Sequence, residues 1–395
     1  MKKTSLKKEP YIGIFNDGFP PIYDGVTLTV MNYLDWLIKK GYPSCVVTPW
    51  NPVSEDYPFE VIRYFSLPIR SRHPYRYGYP KLDPFIWTKL RKTPFKIVHS
   101  HSPFSAGRLG VYVKRKQNIP LIGTFHSKYK SDLKHSFKHA PWCVPIIMKR
   151  ILNFYNACDE VWIPQASVAD TVREYGYTGK LEVVDNGIDY DFEHEEDLRK
   201  IKDKAREVLN IPDKTLSLLF VGQHIWEKGI GIIIDSLDLI RDEVDFRMYF
   251  IGDGYARKDL IAKVKGLGLD DRVFIKGILT DREELKNYYA AADLFVFPSL
   301  YDNAPLVVRE AAAMGTPAII PEKSTAAEVI KPDVNGYLTG ATPEMYAKKI
   351  KELSINRDSI LAVGENARKT LIRSWEDVVG EVIDRYKVLM KNYSR

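Results

Sequence analysis

The sequence predicts an α/β protein of two doubly wound, Rossmann-like domains followed by a long final helix. Three observations carry this. The chain has 395 residues, more than one hydrophobic core of ordinary size accommodates. Short apolar runs of strand length alternate with segments of helical spacing, the pattern of a mostly parallel sheet. The alternation runs to about residue 188, gives way to a highly charged stretch, and restarts near residue 216.

Taken in order, Tyr11 to Asn16 is a short apolar strand, and Asp17 to Gly25 a loop with Pro20 and Pro21. Val26 to Lys40 carries Val26, Val30, Tyr33, Leu34, Leu37 and Ile38 at helical spacing, and Gly41 suits its C-terminal stop. Strands are expected at 43–49, 96–100, 120–125 and 160–164, with helical segments between. The second series has strands at 216–221, 246–251, 273–276, 294–298, 318–321 and 336–338, and helices at 230–240 and 256–266. The expected domains are 1–190 and 191–373, with a helix over 374–395 crossing back to the first. Ligands of such folds bind beyond the carboxyl ends of the strands.

Composition narrows the class. The chain is 45% apolar and 28% charged, the balance of a folded protein. No apolar run approaches the ~18 residues of a spanning helix, and the basic start MKKTSLKKEP lacks the apolar run of a signal peptide. Cys45, Cys143 and Cys158, odd in number and scattered, argue against a disulfide framework and a zinc site and fit a reducing cytosol. Residues 63–150 hold nineteen Lys and Arg against two acids, Asp83 and Asp132, a local balance of +17. As the whole chain is +7, the remainder is −10. Such an imbalance points to an anionic partner.

Four motifs sit just after predicted strands. Asp302 and Glu310 are eight apart, one in a loop and one inside the helix that Pro305 opens, where free N–H groups make an anion site. Two acids so spaced can accept hydroxyls of one polyol ligand; by themselves they also suit a turn and a solvated helix face. Lys228 precedes a helix opening at Gly229, so it can neutralise a diphosphate. His126 follows a strand and can donate to a hydroxyl or, at its ordinary pKa, move a proton. Gly25 opens the first long helix, whose N–H groups form another candidate anion site.

These runs resemble one family, the retaining glycosyltransferases of the GT-B fold, family four (glycosyltransferase group 1). Asp302 to Pro317 is similar to its E-x7-E signature and E-A-x-A-x-G-T-P tail, with Asp302 in place of the first Glu. Val221 to Gly229 is similar to V-G-R-x-x-x-E-K-G, with Gln223 in place of Arg; His224 or a basic residue of the first domain is the expected substitute cation. The run around Phe125 and His126 resembles the family's F-H-T, and Pro21 to Val26 its P-x-x-x-G-V loop. The resemblance covers the whole chain. It implies two domains facing a cleft and a nucleotide-sugar donor bound through Gly25, Gly222, Gln223, Lys228, Ile278, Asn303, Ala304, Pro305, Leu306 and Glu310. It gives His126, Lys228 and Asp302 the catalytic places. His99 and His101 read as structural, and the Asp189-Tyr190-Asp191 triplet as incidental rather than a metal site.

The basic stretch mixes charge with apolar bulk at residues 70–81 and 128–152. Arg70, Arg72, Arg76, Lys128, Lys130, Lys134, Lys138, Trp142, Lys149 and Arg150 suit an anionic bilayer surface, the apolar partners being Trp142, Val144, Ile146, Ile147, Met148, Ile151 and Leu152. No nucleic-acid motif accompanies the charge, so nucleic acid is not an expected partner. The expected activity is metal-independent, retaining transfer of glucose or galactose from a UDP-sugar to diacylglycerol or ceramide, without a cofactor. The expected place is the inner face of the cell membrane. Transfer to a polysaccharide or lipid-linked oligosaccharide, a nucleotide-sugar epimerase or hydrolase, and an inactive membrane scaffold remain open on the same residues.

Overall fold

The computed structural model describes residues 11–52, 56–69, 74–188, 198–300 and 302–393, apart from the side chain of His135. The chain divides into two compact units, residues 1–189 with 373–395, and residues 190–372.

In the first unit the strands are β1 (Tyr11–Phe15), β2 (Ser44–Pro49), β3 (Glu60–Tyr64), β4 (Ser66–Pro68), β5 (Arg76–Gly78), β6 (Phe95–Ser100), β7 (Leu121–Thr124), β8 (Glu160–Ile163) and β9 (Leu181–Val183). Seven form one sheet in the order β3-β2-β1-β6-β7-β8-β9, every pair parallel. The pair β4–β5 is a separate antiparallel hairpin. The helices are α1 (Gly25–Lys39), α2 (Pro84–Lys92), α3 (Ser105–Gln117), α4 (Tyr129–Ser136), α5 (Cys143–Ala157) and α6 (Val168–Glu174). Central strand β1 is apolar throughout and buries Ile12, Ile14 and Phe15 completely, as a strand covered on both faces must. α1 buries Val30, Tyr33, Leu34 and Leu37, one stripe at helical spacing. It ends before Gly41, whose φ of +85° closes the helix.

The second unit holds β10 (Leu216–Val221), β11 (Phe246–Ile251), β12 (Val273–Gly277), β13 (Leu294–Val296), β14 (Ala318–Pro321) and β15 (Tyr337–Thr339). They form a parallel sheet in the order β12-β11-β10-β13-β14-β15. Its helices are α7 (Leu198–Val208), α8 (Ile230–Leu239), α9 (Arg257–Gly266), α10 (Arg282–Ala291), α11 (Leu306–Ala313), α12 (Pro343–Ser354) and α13 (Arg357–Leu371). In each sheet the strand order reverses beside the first strand, β1 against β6 and β10 against β13. Those switch points leave a crevice at the carboxyl ends of the strands.

The last helix, α14 (Trp375–Tyr393), belongs to the first unit and packs on α1. It buries Trp375, Val378, Val379, Val382, Ile383, Tyr386 and Leu389. Seven such side chains are worth roughly 10–20 kcal/mol gross before entropy is subtracted. The Ser374 hydroxyl accepts from Asp377 N at 3.0 Å and caps the helix.

Candidate functional site

In the second unit the candidate site lies at the switch point between β10 and β13. After β10 the chain runs through Gly222 and an exposed Gln223 to Lys228 and the start of α8. Gly229 has φ +72°, and a Cβ there would stand 2.9 Å from the carbonyl oxygen of Pro298. This contact lays the Lys228 loop on the loop that follows β13. Lys228 Nζ reaches Asp302 Oδ1 at 2.7 Å, with side-chain exposures of 12% and 18%. Ser299 Oγ donates to Asp302 Oδ2 at 2.7 Å, and Thr325 Oγ1 to the Asp302 carbonyl at 2.5 Å. The Lys228 ammonium also lies 5.7 Å from the Phe297 ring centroid.

Pro305 is the N-cap of α11 rather than a residue of its first turn: its ψ is 118°, and the helix begins at Leu306. Asn303 is buried and Ala304 half-buried beside it. The first turn of α11 therefore presents backbone N–H groups next to Lys228 and Asp302, the arrangement that favours an anion. Glu310, one turn on, accepts from the Tyr289 hydroxyl at 2.7 Å. At the end of β12, Ile278 is exposed. Among the sequence-predicted residues, Lys228, Asp302 and the loop to Leu306 thus converge, with Glu310 on the helix they open.

His224 does not supply the second cation expected beside Gln223. It is fully buried between Phe220 and Phe250, and neither ring nitrogen has a partner. Burial lowers its pKa to about 4, so it is neutral near pH 7.

In the first unit two clusters occupy the ends of the strands. Asp17, just after β1, accepts from Ser102 Oγ (2.5 Å), Ser105 Oγ, Tyr64 Oη (3.2 Å) and the backbone N–H of Ala106 (3.2 Å). A carboxylate of the chain itself thus fills the start of α3. The same holds at α1: Asp24 accepts from Thr27 N at 2.8 Å and from the Tyr75 hydroxyl at 2.8 Å. That cap takes the Thr27 N–H, one of the groups expected to face an anion at Gly25.

The second cluster is a row of histidines. His126 Nε2 lies 2.9 Å from His101 Nδ1 and the rings stack at 20°. His101 in turn lies 4.2 Å from His99 between ring centroids. His99 bonds Tyr386 Oη and Thr124 Oγ1, both at 2.6 Å. Desolvation pushes His126 down to about 4, and His99 and His101 well below the ordinary value. This corrects the expectation of a near-neutral His126 that moves protons. It is a neutral hydrogen-bonding group instead.

The basic stretch is also revised. Arg70 and Arg72 lie outside the described residues, as does the Asp189–Asp191 triplet. Arg76 is committed to the β4–β5 hairpin: its Nε and Nη2 donate to Ser66 Oγ and O, and it stacks 5.1 Å from the Trp50 ring. Lys130 pairs with Glu174 at 2.8 Å, and Lys128 is half-buried. Val144 and Ile151 are core residues, with Ile147, Met148 and Leu152 packed against that core. Lys134, Lys138, Trp142, Ile146, Lys149 and Arg150 stay exposed, Trp142 by 69%. Among the described residues no helix is long and apolar enough to cross a membrane, and no group of three His, Cys, Asp or Glu is placed to hold a metal ion.

Ser299, Thr325 and Tyr289, which hold Asp302 and Glu310, were not anticipated. Hydroxyl residues carry no spacing signal of their own, and only the fold brings them to the acids.

Two parallel doubly wound units, with the cation–acid pair at the second one's switch point, define the GT-B class of α/β glycosyltransferases. Residues 23–192 match the model of Glycosyltransferase Family 4, and residues 201–370 that of Glycosyl transferases group 1. The chain belongs to these GT-B glycosyltransferases, one domain to each unit. It is 24% identical to alpha-monoglucosyldiacylglycerol synthase of Acholeplasma laidlawii over 95% of this chain and 98% of that one. Its identity to the Streptococcus pneumoniae protein of the same name is 27%, over 78% and 70%. In fold it is similar to sucrose-phosphate synthase of Thermosynechococcus elongatus, with a TM-score of 0.79 at 20% identity over 98% of this chain and all of that one. It is also similar to Anabaena HepE solved with UDP and glucose, with a TM-score of 0.74 at 18% identity over 96% and 100%.

Proposed function

We propose that this glycosyltransferase moves a hexose, glucose or galactose, from a UDP-sugar to the hydroxyl of a membrane lipid, diacylglycerol or ceramide. The carrying observation is the Lys228–Asp302–Ser299 cluster beside the first turn of α11. The diphosphate takes Lys228 and the free N–H groups of α11, Glu310 accepts from the ribose, and Asp302 faces the sugar hydroxyls. The bond from the anomeric carbon to the diphosphate oxygen breaks. The acceptor oxygen forms its bond on the same face, and its proton passes to the departing phosphate, which retains configuration. Lys228 and the helix dipole stabilise the charge that develops on the leaving group. His126, neutral near pH 7, orients a hydroxyl in the first unit. No step calls on a metal ion.

The lipid acceptor is supported by the two relatives named as monoglucosyldiacylglycerol synthases. The exposed Lys134, Lys138, Lys149 and Arg150 around Trp142 and Ile146 suit an anionic headgroup layer. We place the protein at the cytoplasmic face, held peripherally. The UDP donor is supported by the UDP complex of HepE, and a GDP donor by a relative named as a GDP-mannose-dependent alpha-mannosyltransferase from Corynebacterium glutamicum. A panel of UDP- and GDP-sugars on diacylglycerol and ceramide liposomes tests the reading by product mass. A UDP-hexose giving a monohexosyl lipid supports it. Turnover only on a water-soluble acceptor contradicts it.

A further inference from the structure

We propose that the Lys228–Asp302 ion pair makes sugar recognition conditional on a bound diphosphate. The inference rests on the donor-site reading above and goes beyond it.

Both carboxylate oxygens of Asp302 are engaged within the chain, Oδ1 by Lys228 and Oδ2 by Ser299, each at 2.7 Å. The pair is sheltered, with side-chain exposures of 12% and 18%. A sugar hydroxyl arriving by itself therefore meets a partly desolvated acid whose charge an ammonium already balances and whose second oxygen a hydroxyl already uses. A neutral hydroxyl is a weaker donor than the ammonium and gains little from an acid already so compensated. A diphosphate does not face the same limit, because it carries more charge than a carboxylate and meets Lys228 together with the first turn of α11.

Once Lys228 turns to the diphosphate, Asp302 Oδ1 is left charged and short of a partner in sheltered surroundings. That state carries a penalty until something donates to it. The sugar of the same donor molecule is the group placed to do so. The nucleotide half thus opens the sugar half, and the intact donor recovers what the nucleoside diphosphate loses by breaking the pair. Gln223 sharpens the effect. It is uncharged, and its neighbour His224 is buried and neutral, so neither offers the diphosphate a cation in place of Lys228.

Calorimetric titration of the full chain with UDP, GDP and UDP-glucose tests this, using Asp302→Asn, Asp302→Ala and Lys228→Ala with thermal melting as a folding control. Asp302→Asn should bind the preferred nucleoside diphosphate about tenfold more tightly than the wild type. Its preference for UDP-glucose over UDP should shrink by a similar factor. Should Asp302→Asn fail to fold because Lys228 is left unpaired, Asp302→Ala, which admits water to the ammonium, is read in its place. Binding of the diphosphate by the Asp302 variants that is no tighter than wild type overturns the exchange while leaving the donor site intact. Unchanged binding in Lys228→Ala, or no binding of UDP and GDP by the wild type, overturns the donor-site reading itself.

Discussion

A methyl group on Gly229 would stand 2.9 Å from the Pro298 carbonyl oxygen, at a φ of +72° that alanine adopts poorly. Gly229→Ala should therefore cost about 1–3 kcal/mol in denaturant unfolding. It should weaken UDP binding too, since the same contact holds the Lys228 loop against the loop that follows β13. Lys228→Ala should lower turnover about 10²–10³-fold, the usual loss when a group stabilising developing charge is removed. Initial rates on saturating donor and acceptor check it. At this scale much of the site was legible. Spacing alone placed Lys228 just before a helix and Asp302 and Glu310 eight apart, and the fold brings Lys228 and Asp302 to 2.7 Å. What escaped the sequence was how these groups are held. Ser299, Thr325 and Tyr289 act through single hydroxyls, and the Asp24 cap takes one N–H of the helix start at Gly25.

Helix α5 shows what an element decides that composition does not. Its apolar residues divide by helical spacing: Val144, Ile151, Phe154 and Tyr155 are buried, while Trp142 just before it and Ile146 within it remain exposed beside Lys149 and Arg150. Reading residues 128–152 as one basic and apolar block took core for surface. The surface that remains is small and testable. Replacing Lys134, Lys138, Lys149 and Arg150 by Ser should weaken sedimentation with anionic liposomes by up to ~4 kcal/mol, at about 1 kcal/mol per cation, with a smaller effect in high salt. Equal binding by the variant would place the lipid contact elsewhere. Helix α14 was legible as a long helix from its apolar stripe, but the bond from its Tyr386 to His99 was not, because it joins residues 287 apart.

Over the whole molecule the two sheets share a strand order, yet their switch points differ in chemistry. In the first unit Asp17 and Asp24 supply the anions at the helix starts; in the second, Lys228 stands beside the start of α11, paired with Asp302. The alternation of strand and helix made the doubled fold readable, whereas this asymmetry depends on which side chains fold back onto the helix ends. The buried histidines give the molecule a pH dependence of defined sign. His224 has Asp253 and Arg257 near it, but desolvation dominates and holds its pKa at about 4, below the ~6.5 of an unfolded chain. The unfolded state then binds more protons than the folded one between these values. Stability is complete above pH ~6.5 and falls as pH drops towards 4, by at most about 3 kcal/mol for this residue. Thermal melting from pH 7 to pH 5 should show the decline, and His224→Phe, matching the neighbouring rings, should make it shallower while the part due to His99, His101 and His126 remains. The central claim, that this glycosyltransferase builds a glycolipid at the Lys228–Asp302 site, is tested most directly by one measurement: the mass of lipid products formed from UDP-glucose and UDP-galactose on diacylglycerol liposomes by wild type and Lys228→Ala. The account predicts a monohexosyl diacylglycerol that the variant all but fails to make. Equal product from the two proteins, or hexose transferred to no lipid at all, would contradict it.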